Sequence, residues 1–323
     1  VLWVVLLPEA AGALPDTPVA QAEPQNRLAA GQVYNPVFAL APGLAPAIGN
    51  MWLAIPPWAS PIAAPGYRSL TPAAPLIENL SSPAFDIGGY DPMWDDTMFT
   101  EISAYGGLGR DALRVAGMRA MDGSDGTSGA IPYGHLTVQR EFQEGQHHVG
   151  LGAYGLQVSV QPTAISGFGN DSYTDVAIDG TWHWTAHPER SVPDVISAHV
   201  LLLHETEDLI ASQAVFGTRR TDDLTIFRGD VSYIRGSVTP TVQYFQVTGS
   251  SDAMRLGTLD GSPDSSGWIA RIDFSPWSSP NSWFNVRLGL QFIAYSQFDG
   301  SSRDASRNNT VLLHLSAGGE SDP

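Results

Sequence analysis

Between Trp283 and Phe298 every second side chain is apolar. Phe284, Val286, Leu288, Leu290, Phe292 and Ala294 fall on one phase, and Asn285, Arg287, Gly289 and Gln291 on the other. A period of two is that of a strand, not a helix. At roughly 16 residues this strand is far longer than the 5–6 common in soluble sheets. One continuously apolar face opposite an Arg-bearing face suits a wall between lipid and water, where a tilted strand needs about 9–11 residues to cross.

The same rhythm runs through the chain from residue 96 onward. It predicts ten strands: 96–106, 132–143, 147–161, 172–186, 195–217, 223–236, 239–249, 267–276, 283–298 and 308–317. In 172–186, Val176, Ile178, Trp182 and Trp184 alternate with Asp175, Asp179, Thr181 and His183. In 267–276, Trp268, Ala270, Ile272 and Phe274 alternate with Arg271 and Asp273. The connections between strands alternate between short and long, as in up-and-down barrels with short turns at one end and longer loops at the other. The alternation requires 195–217 to be one strand, bent near Glu205–Asp208, and not a hairpin. The fold expected is therefore all-β: an antiparallel up-and-down transmembrane β-barrel with about 10–12 strands visible, incomplete at its N-terminus.

The charged residues respect this division. Arg228, Asp230, Arg271, Asp273, Arg287 and Gln291 all lie on the polar phase and are expected to line the interior, because Arg at the bilayer midplane costs about 2–4 kcal/mol. Trp182, Trp184, Tyr233, Trp268 and Trp283, near strand ends, fit aromatic girdles at the two interfaces.

The N-terminal third reads differently. Residues 1–22 have an apolar start and an Ala20-Gln21-Ala22 sequence resembling a cleavage site, as in the remnant of an export signal or a boundary segment. Residues 23–95 contain a candidate strand at 26–34. Proline is dense from 35 to 95, yet Trp52, Trp58, Ile48, Ile55 and Ile62 are too apolar for a solvated linker. That stretch is expected to fold inward as a lumen insert, with 96–318 as the wall and 319–323 as a tail.

Composition narrows the function. A net charge of −17 argues against nucleic acid, which needs clustered cations. All 16 basic residues are Arg, and there is no Cys, so the chain has no thiolate metal site and no C-x-x-C-H haem attachment. No apolar run reaches the length of a transmembrane helix, a test that barrels pass as well.

Several spaced motifs carry a resemblance. They are Asp260-Gly261-Ser262-Pro263-Asp264-Ser265-Ser266-Gly267-Trp268, Phe284-Asn285-Val286-Arg287-Leu288-Gly289-Leu290-Gln291, Phe298-Asp299-Gly300, and Asp304-Ala305-Ser306-Arg307-Asn308-Asn309-Thr310. With Thr71-Pro72-Ala73-Ala74-Pro75-Leu76-Ile77 and Trp94-Asp95-Asp96, they make residues 33–318 resemble a bacterial outer-membrane porin-like barrel family. Its members often carry the label cytochrome c because a short haem-binding segment precedes the barrel. The resemblance implies passage of small polar solutes across the outer membrane of a Gram-negative bacterium, or sheathing of a haem-bearing electron-transfer cytochrome. The partners expected are outer-membrane lipid, small polar solutes and such a cytochrome. Here the haem segment is missing, so no cofactor is expected in this chain, and the last strand ends Ala317-Gly318-Gly319-Glu320 without the family's aromatic residue.

Candidate chemistry is sparse, and the chain is not expected to be an enzyme. No nucleophile elbow, P-loop or dinucleotide fingerprint is present. His147 and His148 are neighbours whose side chains would point to opposite faces of a strand, an awkward start for a metal site. His183, His199 and His204 would line the interior if they sit on the polar phase. His204-Glu205-Thr206-Glu207-Asp208 is the densest acid cluster with a His and raises an alternative, an outer-membrane hydrolase with a rim His/carboxylate site. Asp122-Gly123-Ser124-Asp125-Gly126 and Asp260–Asp264 look like calcium loops but lack the ligand spacing. A second alternative is a soluble secreted β-sandwich that binds a ligand.

Overall fold

The period-two pattern produces one large sheet. The structure, a computed structural model, describes residues 2–8, 44–50, 75, 83–93, 98–107, 130–143, 146–160, 167–186, 194–256, 261–275 and 284–319. The strands in chain order are β1 (Leu2–Pro8), β2 (Leu44–Asn50), β3 (Pro83–Met93), β4 (Met98–Gly107), β5 (Ala130–Phe142), β6 (His147–Val160) and β7 (Asp171–Ala186). They continue with β8 (Asp194–Asp208), β9 (Thr221–Ile234), β10 (Val238–Gly249), β11 (Ser265–Phe274), β12 (Phe284–Gln297) and β13 (Thr310–Gly319). Among the described residues two short helices, α1 (Ile210–Phe216) and α2 (Ala253–Leu256), and a 3-10 turn at Ala305–Asn308 sit in the connections.

All thirteen strands belong to one sheet in the order β1-β13-β12-β11-β10-β9-β8-β7-β6-β5-β4-β3-β2. From β2 to β13 every neighbour is consecutive in sequence and antiparallel, an up-and-down meander; β1 alone pairs in parallel, on β13. No ladder among the described residues joins β1 to β2. The sheet is therefore open, and the closed barrel expected from the sequence is not formed by these strands.

All ten predicted strands are present, with boundaries shifted by a few residues. The exception is 195–217: the strand ends at Asp208, and Ile210–Phe216 is helical. The helix is set by a distant group. Asp171, at the start of β7, accepts hydrogen bonds from the backbone N–H of Ala211 (2.8 Å) and of Ser212 (3.0 Å) and from the Ser212 hydroxyl. A carboxylate at that end satisfies donors that no helix can satisfy internally. The change sharpens the alternation of connections. The β5–β6, β7–β8, β9–β10 and β11–β12 connections belong to one end of the sheet, here the short-turn end, and the β6–β7, β8–β9, β10–β11 and β12–β13 connections to the other, the long-loop end.

Of the segments read as export remnant and lumen insert, Leu2–Pro8, Leu44–Asn50 and Pro83–Met93 are strands of this sheet. The candidate strand 26–34, the Asp122–Gly126 turn and Trp283 lie outside the described residues.

The two faces differ in polarity. Side chains one phase apart alternate between buried and exposed along β6 to β12, and the exposed set is the apolar one. Leu151 is 66% exposed, Ile178 57% and Trp268 55%, whereas Gln243 and Gln291 are both 0% exposed. Buried apolar residues also exist on the enclosed face. Phe245, Ile269, Ile293, Tyr295 and Leu312 pack with Ala305 from the 3-10 turn into one cluster near the long-loop end, with Phe298 against it.

The long-loop end is built by carboxylates and special backbone. Asp299 (φ 50°) and Gly300 (φ 74°) make a two-residue turn between the bridged Phe298 and Ser301, the left-handed geometry that an Asp-Gly pair favours. Asp252 accepts from the backbone N–H of Arg219 (2.6 Å), Met254 (2.9 Å) and Arg255 (3.2 Å), and its own N–H donates to the Gly261 carbonyl at 2.7 Å. At Gly261 φ is +62°, and a Cβ there would lie 2.3 Å from the Ala253 nitrogen. Gly261→Ala is therefore expected to destabilise the fold by about 2 kcal/mol or more. Denaturant unfolding of the full chain measures this, with Gly236→Ala (positive φ but open space around it) costing less.

Candidate functional site: the enclosed polar face

The site is a set of parallel rows across the strands, fixed by register. One row runs His148, His183, Ser197, Ser232, Thr241, Arg271, Gln291 from β6 to β12. The next, toward the long-loop end, runs Gly150, Thr181, His199, Asp230, Gln243, Ile269, Ile293. A third contains Gly152, Asp179, Leu201, Arg228 and Phe245. Their side chains share one face because neighbours across a ladder point the same way.

Five of the six residues expected to line an interior lie on this face. Arg228, Asp230, Asp273 and Gln291 are buried, and Arg271 is mostly so. The Arg287 side chain lies outside the described residues; its backbone pairs with Ser316 on β13. They do not form one facing ladder of cations and anions. Arg271 pairs with Asp273 two residues along its own strand, Nε to Oδ2 at 2.6 Å and Nη2 to Oδ1 at 2.8 Å. Asp230 meets His199 on the adjacent strand, Oδ2 to Nδ1 at 2.9 Å. Between these pairs lie the Ser232 and Thr241 hydroxyls, hydrogen-bonded at 2.9 Å. Short local pairing is what burial of charge requires, since an unpartnered buried charge is costly.

The histidines sort by parity. His148, His183 and His199 are on the enclosed face, with ring centroids 6.0 Å apart for the first pair and 5.4 Å for the second. His183 Nε2 is 2.8 Å from the Thr181 hydroxyl. His147 points outward and stacks on Trp182 and Trp184, with the Trp182 indole N–H donating to its Nδ1 at 3.3 Å. His204 also points outward, off the phase on which it would have lined the interior. It is bonded to the Thr225 hydroxyl at 3.0 Å, while Glu205 and Glu207 are buried on the opposite face. The rim His/carboxylate cluster is therefore contiguous in sequence only. Among the described residues no group of three His, Cys, Asp or Glu side chains is arranged to hold a metal ion.

Arg255 and Asp222, which sequence reasoning missed, sit at the long-loop end. Glu207 is ion-paired with Arg255 of α2, whose Nη1 also lies 3.4 Å from Asp222. Burial works against the Arg255 charge, but Glu207, Tyr173 and Glu205 outweigh it and raise its pKa above the usual guanidinium value. Arg255 lies in a connection that the period-two pattern does not describe, and only the fold brings it to β8 and β9. The Asp264 carboxylate, in the stretch resembling a calcium loop, accepts from the Gly249 N–H at 3.3 Å, a structural role.

The outward face carries a belt whose edges can be traced. At the long-loop side the first apolar outward residue is Val176 on β7, Leu202 on β8, Phe227 on β9, Tyr244 on β10, Trp268 on β11 and Ala294 on β12. Beyond it stand Thr174, His204, Thr225, Gln246, Ser266 and Ser296. Val176 is in register with His204 and not with Leu202, and Phe227 with Gln246 and not with Tyr244. The edge thus slides across the rows by two residues twice between β7 and β10. At the short-turn side it slides the same way: Asp194 and Arg235 are in one row with Val238, Phe274 and Leu288.

Compared with known proteins, the chain matches no family model, no curated protein and no solved structure.

Arg255→Met is expected to destabilise the fold by about 3 kcal/mol, because it leaves the buried Glu207 carboxylate uncompensated. Adding Glu207→Gln should recover more than half of that loss in denaturant unfolding. A double variant no more stable than Arg255→Met would show that the pair is not coupled.

Proposed function

We propose that this chain is the wall of a porin-like barrel in a bacterial outer membrane, through which small polar solutes pass. The reading rests on one observation, the inverted polarity of the sheet. Large apolar side chains are exposed on one face, and Asp, Glu, Arg, Gln and His are enclosed by the other. In water this arrangement would forfeit most of the hydrophobic driving force. Against acyl chains it is the arrangement of lowest cost.

The sliding edge supports the same reading. Four residues of displacement at about 3.4 Å each, over three to five strand steps of about 4.8 Å, correspond to a level belt crossing strands tilted by roughly 30–45°. Transmembrane barrels tilt their strands by about 35–45°. A level boundary is imposed by a planar environment and not by packing within the sheet. Four or five outward positions per strand give a band roughly 20–26 Å tall at that tilt, against about 25 Å for outer-membrane barrels. Trp182, Trp184 and Tyr233 mark one margin, and Tyr244 and Trp268 the other, where amphipathic rings are favoured.

In lipid an open sheet edge leaves backbone donors and acceptors unsatisfied, so this reading requires the free edges of β1 and β2 to be closed in the membrane. The full burial of Gln243, Gln291, Ile269, Ile293 and Leu312 describes a filled interior better than a wide channel, so the passage in this reading is narrow.

Val200→Arg, at mid-belt, is expected to weaken folding into liposomes by about 2–4 kcal/mol, and His204→Arg, just past the edge, by under about 1 kcal/mol. Flotation and urea titration of the liposome-folded chain measure both. Equal costs, or a full chain that remains in the aqueous phase, would remove the membrane reading. In planar bilayers stepwise conductance supports solute passage, and silence overturns it.

A further inference from the structure

The enclosed histidines lie in a chain with a carboxylate at each end and none in the middle. His148 Nδ1 is 3.9 Å from Glu141 on β5. His183 follows at a ring-centroid distance of 6.0 Å, then His199 at 5.4 Å, and His199 closes on Asp230 of β9 at 2.9 Å. Four ladders are spanned, β5 to β9, close to the short-turn end, where the Thr185 N–H donates to the Gln146 carbonyl at 2.8 Å. All three imidazoles are partly accessible: His148 and His199 retain 23% and 16% side-chain exposure, so protons can reach them.

The charged surroundings are few. Glu141 faces the row from β5, Asp179 lies beyond Thr181 on β7, and Arg228 and Asp230 face it from β9. Ser197 on β8 and Gln243 on β10 are uncharged. Two carboxylates thus meet three imidazoles. A proton on His199 is balanced by Asp230, and one on His148 by the half-exposed Glu141. A proton on His183 has an imidazolium on either side and a neutral hydroxyl, that of Thr181, as its hydrogen-bond partner.

We propose that this row is an acid-operated latch between the β5–β6 hairpin and strands β7 and β8. With the imidazoles neutral, the rings pack edge to face and the ladders hold. When the row charges, repulsion across the β6–β7 and β7–β8 ladders loosens the short-turn end of the enclosed face. The inference goes beyond the membrane reading and does not depend on it, because the row is set by register alone.

Hydrogen exchange of the full chain in detergent micelles, corrected for the intrinsic pH dependence of exchange, tests the latch. Peptides covering 147–160 and 171–186 should exchange at least about tenfold faster at about pH 4 than at about pH 7.5, with 238–249 changing little. In the His148→Gln/His183→Gln variant, whose amides stay polar but take no proton, the acid response should vanish. Equal protection of the wild type at both pH values, or a full response in the double variant, overturns the proposal. Should the double variant fail to fold, His148→Gln alone removes one of the two repelling contacts and must reduce the response; an undiminished response overturns the proposal equally. Liposome flotation is scored separately, so loss of the membrane reading and loss of the latch are distinguishable.

Discussion

The constraint on which the rest depends is the two-residue period of an extended backbone combined with an inverted assignment of its faces. Each ladder satisfies its own N–H and C=O groups, so the sheet itself is indifferent to which face is wet. The side chains decide. Burying Asp230, Arg228, Asp273 and Gln243 is tolerable only where partners are built in, and His199 and Arg271 supply two of them at 2.9 and 2.6 Å. The same choice leaves Leu151, Ile178, Val231 and Trp268 outside, where water gains them nothing. One decision about phase therefore fixes the enclosed polar face, the local ion pairs and the exposed apolar face.

The two ends of the sheet solve different problems. At the short-turn end β9 and β10 reverse tightly at the bridged Arg235 and Val238. At the long-loop end Asp171, Asp252 and Asp264 each hold backbone N–H groups of a segment remote in sequence. The carboxylates that give the chain its acidity are thus partly structural there. Arg255 draws Glu207 and Asp222 together, so that α2 is tied to β8 and β9 by charge. The histidine row sits toward the opposite end.

Strands and phases were legible because period two is a local property: Val176, Ile178 and Trp182 alternate with Asp175, Asp179 and Thr181 whatever lies elsewhere. What could not be read locally was decided by distant partners. Ile210–Phe216 continues an apolar run, so it reads as strand, and only Asp171, forty residues away, caps it as helix. Adjacency in sequence groups His204 with Glu205 and Glu207, whereas its odd spacing from His199 puts those two histidines on opposite faces. Arg255 was invisible for a similar reason, since no periodicity governs a loop. Pro46 and Pro92 concealed β2 and β3, because proline argues against a strand except near a sheet edge, which is where both lie. Closure was legible only as a demand of the membrane reading and is not met by the described ladders.

The enclosed face is itself divided. On β6 to β9 it carries His148, His183, His199, Asp179, Arg228, Asp230, Asp175, Glu205 and Glu207, interrupted by one apolar row of Tyr154, Ala177, Leu203 and Ile226. On β10 to β13 Phe245, Ile269, Ile293, Tyr295 and Leu312 form an apolar cluster on that face. The polar groups beside it, Thr241, Gln243, Arg271, Asp273 and Gln291, therefore stand against aromatic and aliphatic neighbours, where burial of charge demands a local partner, and Arg271 and Asp273 supply it to each other.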